Sequence, residues 1–169
     1  MDVETAIRSR RTHKQFGREP VEEARVRDLL ELARYGPNHK LTQPWRFRLL
    51  GPDTRRRLNE AVGEKEAMKL GRAPTLVLAT AVLSGDAHTD EEDLHATACA
   101  VYAVLLGATS RGLASYWRTP AALGDDAVRE LLGLESNEQI VGLIHLGAAV
   151  SDPPTKERLP LDDVFTALP

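Results

Sequence analysis

The amino-acid sequence predicts one mixed domain of alternating helices and strands, and three observations carry that prediction. With 169 residues the chain is about the size of one domain and long enough to bury a real core. Two short, almost wholly apolar, β-prone runs, 75–83 and 139–149, read as interior strands. Between them, 96–106 is apolar nearly all round, the pattern of a helix at the centre of a core.

Each element follows from local chemistry. Asp2 is placed to cap a short helix over about 3–8. That helix runs into Arg8-Ser9-Arg10-Arg11-Thr12-His13-Lys14, and the basic run stops at the apolar anchor Phe16. The range 20–34 reads as the next helix: Pro20 suits a first turn, Glu22 and Glu23 complement the positive end of the dipole, and Val26, Leu29, Leu30 and Ala33 form its apolar face. Gly36 and Pro37 end it. The polar loop Asn38-His39-Lys40-Leu41-Thr42-Gln43 then lies between two prolines, and Pro44 launches a strand over 45–50.

After the turn Gly51-Pro52-Asp53, Asp53 is placed to cap a single charged surface helix reaching Leu70. Gly71 and Pro74 break the chain before the first interior strand. An acidic connection, 84–93, leads to Asp90 as the expected cap of the long helix 91–110, which Gly112 ends. A strand over 113–117, a turn at Arg118-Thr119-Pro120, a helix over 125–132 closed by Gly133 and the second interior strand follow. The tail from Ser151, with Pro153, Pro154 and Pro160, is too rich in proline for a helix and reads as a surface wrap, on this chain or on a partner.

Several function classes have little support. A net charge of −3 gives no global reason to expect nucleic acid or an anionic membrane, so any anion site is local. The single cysteine, Cys99, excludes an internal disulfide framework and fits a reducing cytoplasm. No apolar run is long enough to span a bilayer and the N-terminus lacks a signal-peptide pattern, so the expectation is a soluble, cytoplasmic protein. The alternation of helix and strand invites a doubly wound nucleotide fold, yet neither a P-loop nor a three-glycine dinucleotide turn is present. His88 and His95 flank an acidic run, but the Gly85-Asp86 turn and the expected Asp90 cap place His88 outside the helix, so no metal site is expected. Ser110, Ser115 and Cys99 lack the context of a covalent nucleophile.

Three polar clusters remain: Arg10 to Lys14, Asn38 to Gln43, and Lys156-Glu157-Arg158. Clustered arginines with nearby hydroxyls bind phosphate through charge-assisted, two-pronged hydrogen bonds. Their order, "Arg-Arg-Thr-x-Lys-x-Phe" at 10–16 and then "Gly-Pro-Asn-His-Lys-x-x-Gln-Pro-Trp-x-Phe" at 36–47, resembles the opening of the nitroreductase family of FMN-dependent oxidoreductases. Gly112-Leu113-Ala114-Ser115-Tyr116-Trp117 and Lys156-x-Arg158-x-Pro160-Leu161 resemble its later motifs, so the resemblance spans essentially the whole chain. The Asn38-His39-Lys40 loop is similar to that of a small subclass carrying Asp-His-Lys there; Thr12 stands for the usual serine and Asn38 for the usual aspartate.

The resemblance implies an α+β fold with a mixed, mostly antiparallel sheet between helices, in an intertwined homodimer with two FMN sites at the interface. It places Arg10, Thr12, Lys156 and Arg158 on the FMN phosphate, and Lys14 or Arg11 beside flavin N1 and O2. His39 and Gln43 come from the partner chain, and Trp117, Arg118 and Thr119 line the flavin. The implied activity is ping-pong hydride transfer from NADPH or NADH to a small organic acceptor such as a nitroaromatic or a quinone. A non-catalytic FMN carrier, a family member specialised for another flavin-dependent reaction, and a phosphate- or RNA-binding module are the alternatives, the last opposed by the acidic net charge.

Overall fold

A computed structural model describes residues 1–169. Its sheet places Thr75–Val82 (β2) and Glu138–Ala148 (β4) in the middle and Trp45–Leu49 (β1) and Leu113–Arg118 (β3) at the edges, in the order β1-β2-β4-β3. Every pairing within the chain is antiparallel, in keeping with the mixed, mostly antiparallel sheet that the resemblance implied. The class is α+β, because helices segregate from the strand pairings instead of linking parallel neighbours.

Alternation along the strands divides the core between two faces. Val77, Ala79, Ile144 and Leu146 pack with residues of Glu23–Ala33 (α2) and Ala87–Ser110 (α5), among them Leu29, Val101 and Val104. Leu76, Leu78 and Leu143 face the other way, against Leu58 of Pro52–Ala61 (α3), Leu70 of Glu64–Leu70 (α4) and Val128 of Asp126–Leu131 (α6). Helices therefore cover both faces of the two middle strands, which explains why both read as nearly continuous apolar runs. Burying a leucine fully is worth roughly 1.5–3 kcal/mol, so this double burial supplies much of the fold's stability.

The β2–β4 register shifts between Ala79 and Thr80, whose partners are Gly142 and Ile140, leaving Val141 as the bulged residue. The Trp117 indole donates to the Val141 carbonyl at 3.1 Å. A Cβ added at Gly142 would collide with that indole, so glycine is what lets the tryptophan lie against the bulge.

Several boundaries differ from expectation for local reasons. The first helix, Val3–Ser9 (α1), carries the expected cap: the Asp2 carboxylate accepts from Thr5 N at 2.9 Å. Pro20 and Glu22 lie ahead of α2, because Val21 is buried and its N–H donates to Thr75 Oγ1 at 2.8 Å, tying this lead-in to β2. The single helix expected up to Leu70 is two, α3 and α4, separated at Gly63 with φ +76°. Gly51, not Asp53, is the cap of α3, and Asp53 sits in its first turn. Asp86 caps α5 through Thr89 N, whereas Asp90 reaches back to the N–H groups of Ser84 and Gly85. His88 is consequently helical, contrary to expectation, and pairs loosely with Glu92 at 3.8 Å.

The corner beyond β3 and β4 collects the two chain ends. His13 N donates to Ser115 O at 3.0 Å, Gly17 N to Ala148 O at 2.9 Å, and Phe16 bridges to Ala149. Residues 149–169 leave β4 at the same corner, with one short turn at Leu161–Asp163. No helix is long and apolar enough to cross a membrane.

Candidate functional site

Because that corner holds both basic segments, it forms a cavity of about 600 Å³. Arg10, Arg11, Thr12, His13, Lys14 and Gln15 make one wall; Ser151, Pro153, Pro154, Lys156 and Arg158 make the other. No carboxylate side chain lines it. None of the ion pairs in the chain engages Arg10, Lys14, Lys156 or Arg158, so their charges are uncompensated by salt bridges. Thr12 adds a hydroxyl. Such a donor set suits a phosphate dianion, for which two or more fixed cations and a hydroxyl are complementary partners.

Arg11 differs from its neighbours. Its Nη1 donates to the carbonyls of Arg8 at 2.6 Å and Arg10 at 3.0 Å, and its Nη2 to Thr155 Oγ1 at 3.1 Å. It caps the end of α1 and straps the tail segment to it, helping to assemble the cavity. His13, Gln15, Ser151, Pro153 and Pro154 were not singled out as site residues in the sequence. Their signal was position alone, since they lie inside or beside the two basic motifs. His13 Nδ1 is buried in this wall without a partner, and burial pushes the imidazole pKa down.

The remaining expected site residues lie elsewhere in the chain and do not line this cavity. Trp117 is half-buried against the α5 face of the sheet. Arg118 points to the opposite face, where its Nη2 lies 2.5 Å from Glu66 Oε1 of α4. Desolvation alone would raise the Glu66 pKa, but hydrogen bonding to Lys69 and the charge of Arg118 hold it below its usual value. Thr119 is exposed.

His39 and Gln43 are exposed on the loop between α2 and β1. Lys40, Leu41 and Gln43 there have φ of 51°, 54° and 46°. The left-handed conformation costs a non-glycine residue roughly 1–2 kcal/mol, so the loop needs compensating bonds. Asn38 Oδ1 accepts from Gln43 N at 2.9 Å, Asn38 Nδ2 donates to Gly36 O at 3.0 Å, and the Thr42 hydroxyl donates to Asp93 Oδ1 at 2.6 Å.

Fold and cavity together define an α+β protein with a cationic pocket. The model of the nitroreductase family matches residues 7–69 and 64–148, and the chain belongs to that family. It is 30% identical over 178 residues to "Putative NAD(P)H nitroreductase YfhC" of Bacillus subtilis (strain 168), covering 96% of this chain and 92% of that protein. Among solved structures, a nitroreductase-like family protein from Bacillus cereus superposes with a TM-score of 0.90 at 25% identity, covering 99% of this chain and 96% of that one. A Desulfovibrio desulfuricans structure solved in complex with FMN superposes at 0.81 with 23% identity, covering 99% and 96% of the two chains.

Proposed function

We propose that the chain is an FMN-dependent NAD(P)H oxidoreductase that passes reducing equivalents to a small organic acceptor of the nitroaromatic or quinone kind. The observation that carries the reading is the cavity whose four cations, Arg10, Lys14, Lys156 and Arg158, have no ion-pair partner of their own. FMN is the group whose phosphate these residues fit, and nitroreductase family membership supports that choice. Bound FMN supplies hydride chemistry, accepting from NADPH or NADH and then giving to the acceptor, so no protein nucleophile is required.

The residues have distinct duties. Arg10, Lys156 and Arg158 hold the phosphate with the Thr12 hydroxyl. Lys14 rather than Arg11 is the cation for the electron-rich edge of the ring at N1 and O2, because Arg11 is committed to the α1 carbonyls and Thr155. A fixed ammonium there favours the reduced, negatively charged form and so raises its potential. Trp117 and the backbone at Arg118 and Thr119, outside the lining of the cationic cavity, would stand beside the ring as the family resemblance implies; the Arg118 side chain would serve there indirectly through its pair with Glu66.

His39 and Gln43 complete the site of a second copy of the chain in a cytoplasmic homodimer. Their exposure and their absence from the lining of their own cavity support this placement. So do exposed apolar side chains on α1 (Val3, Ile7) and the tail (Leu161, Phe165), which a partner would cover. The deciding experiment is an absorbance spectrum of the purified protein before and after anaerobic NADPH. Flavin bands that bleach are expected; a colourless protein that takes up no added FMN would overturn the reading.

A further inference from the structure

We infer that Asp93 is a positioning residue of the cofactor site, acting through its hydrogen bond to Thr42 to hold His39 and Gln43 in place. The inference rests on the proposal that His39 and Gln43 meet a flavin.

The loop cannot be fixed by packing, since the side chains of His39, Lys40, Leu41, Thr42 and Gln43 are all exposed. Its backbone nevertheless takes left-handed φ at three positions, a conformation that persists only where surrounding bonds impose it. Two of those bonds, made by Asn38 to Gln43 N and to Gly36 O, tie this stretch to itself. They set its curvature, and Arg46 Nη1 donating to Gln43 O at 3.1 Å and Val82 N donating to Pro44 O at 2.8 Å hold its exit to the sheet, but none of these bonds fixes how the stretch lies against α5.

The Thr42 hydroxyl sets the orientation. Its acceptor, Asp93, is only 4% exposed and sits in α5, the helix at the centre of the core. Asp93 is flanked there by the buried Ala96 and Thr97, and Thr97 Oγ1 bonds the Asp93 carbonyl at 2.8 Å. At 2.6 Å the Thr42 bond is short, as expected for a hydroxyl donating to a carboxylate. Both partners gain from it. A buried carboxylate oxygen left without its donor loses solvation that nothing replaces, and a loop released from it relaxes its left-handed residues. His39 and Gln43 lie on either side of Thr42, so one bond to the rigid core aims both.

The test compares Thr42→Val, which keeps the shape and removes the donor, with Thr42→Ser, which keeps the donor. Three quantities are read: hydrogen exchange at the loop amides, FMN affinity, and the melting temperature of the FMN-free protein. In Thr42→Val, loop exchange should quicken and FMN affinity should fall, each by about tenfold, as loss of a hydrogen bond to a charged group predicts. The melting temperature should fall by only a few degrees, the cost of one lost bond to the buried carboxylate, and Thr42→Ser should restore all three. Wild-type exchange in Thr42→Val would overturn the inference whatever happens to flavin, and so would an affinity loss matched by general unfolding. A wild-type protein that binds no FMN would overturn the flavin reading instead, while the exchange comparison would still decide whether the bond orders the loop.

Discussion

Arg48 and Glu138 clasp each other across an intervening strand. Nη2 of Arg48 lies 2.6 Å from Oε1 of Glu138 and Nη1 lies 2.7 Å from Oε2, joining β1 to β4 over β2. The middle strand takes part, because the Thr80 hydroxyl also donates to Oε2. The Glu138 side chain is 4% exposed and that of Arg48 27%, so the pair is largely out of water. Removing one partner of a buried pair strands the other and costs about 3–5 kcal/mol. Glu138→Ala should lower the free energy of unfolding by roughly the lower end of that range, read from urea titration. An unchanged midpoint would show that the clasp contributes nothing.

The same carboxylate and His145 make stability depend on acid. Hydrogen bonding to Arg48, working against desolvation, holds the Glu138 pKa at about 2, below its usual 4.5. Its contribution is therefore complete above pH 4.5 and is lost as the pH falls toward 2. His145, buried with neither ring nitrogen partnered, is pushed from 6.5 to about 4, first by burial and further by the charges of Arg118 and Arg55. The folded state holds it neutral, so unfolding takes up a proton between pH 6.5 and 4 and stability falls across that window, by about 3 kcal/mol at most. His145→Gln should flatten the pH 6.5–4 part of the profile and leave the lower part intact. A wild-type curve in that variant would contradict the assignment.

For the cationic cavity, Arg10→Ala and Arg158→Ala should each weaken FMN binding by about tenfold or more, the loss expected for a charge-assisted contact to phosphate. Titration of the FMN-free protein measures it. Stoichiometric, undiminished flavin in both variants would remove these residues from the phosphate site.

Lys14→Met tests a different property, the electronics of the ring. The variant should retain flavin yet show a more negative midpoint potential and slower reduction by NADPH, since the neutral side chain no longer favours the reduced form. Equal potentials would transfer the role elsewhere. Arg11 is a poor substitute in view of its bonds to α1 and Thr155.

Gly142→Ala reads the bulge in β4. The new methyl group would drive the Trp117 indole from its bond to Val141, and a cost of about 1–3 kcal/mol is expected for overpacking. The tryptophan fluorescence should shift with it. A variant as stable as wild type and with an unshifted spectrum would show that the indole has room to move.

Strong local signals made much of this architecture readable before any coordinates. The apolar runs of β2 and β4 mark themselves because helices cover both faces of the sheet, and α5 does so because its middle is apolar on every side, although it buries one face only and leaves Cys99 and Tyr102 exposed. Boundaries set by competing polar groups were harder. Asp86 and Asp90 are both plausible caps, and only the Thr89 and Ser84 bonds separate them. The break at Gly63 is one residue with positive φ inside a charged run that looks helical throughout. The basic motifs stood out as clusters, and the structure brings Arg10, Thr12 and Lys14 against Lys156 and Arg158 in one cavity. The fates of Arg11 and Arg118 were not legible, because a cation free to meet a ligand and one tied to a carbonyl or a carboxylate look alike in sequence.

The two walls of that cavity come from opposite ends of the polypeptide. A ligand held by both Arg10 and Arg158 acts as a reversible cross-link around nearly the whole chain, and its binding energy becomes resistance to unfolding by mass action. During synthesis the pocket cannot close until Lys156 and Arg158 have left the ribosome, so loading would follow the folding of the sheet between its two walls rather than guide it.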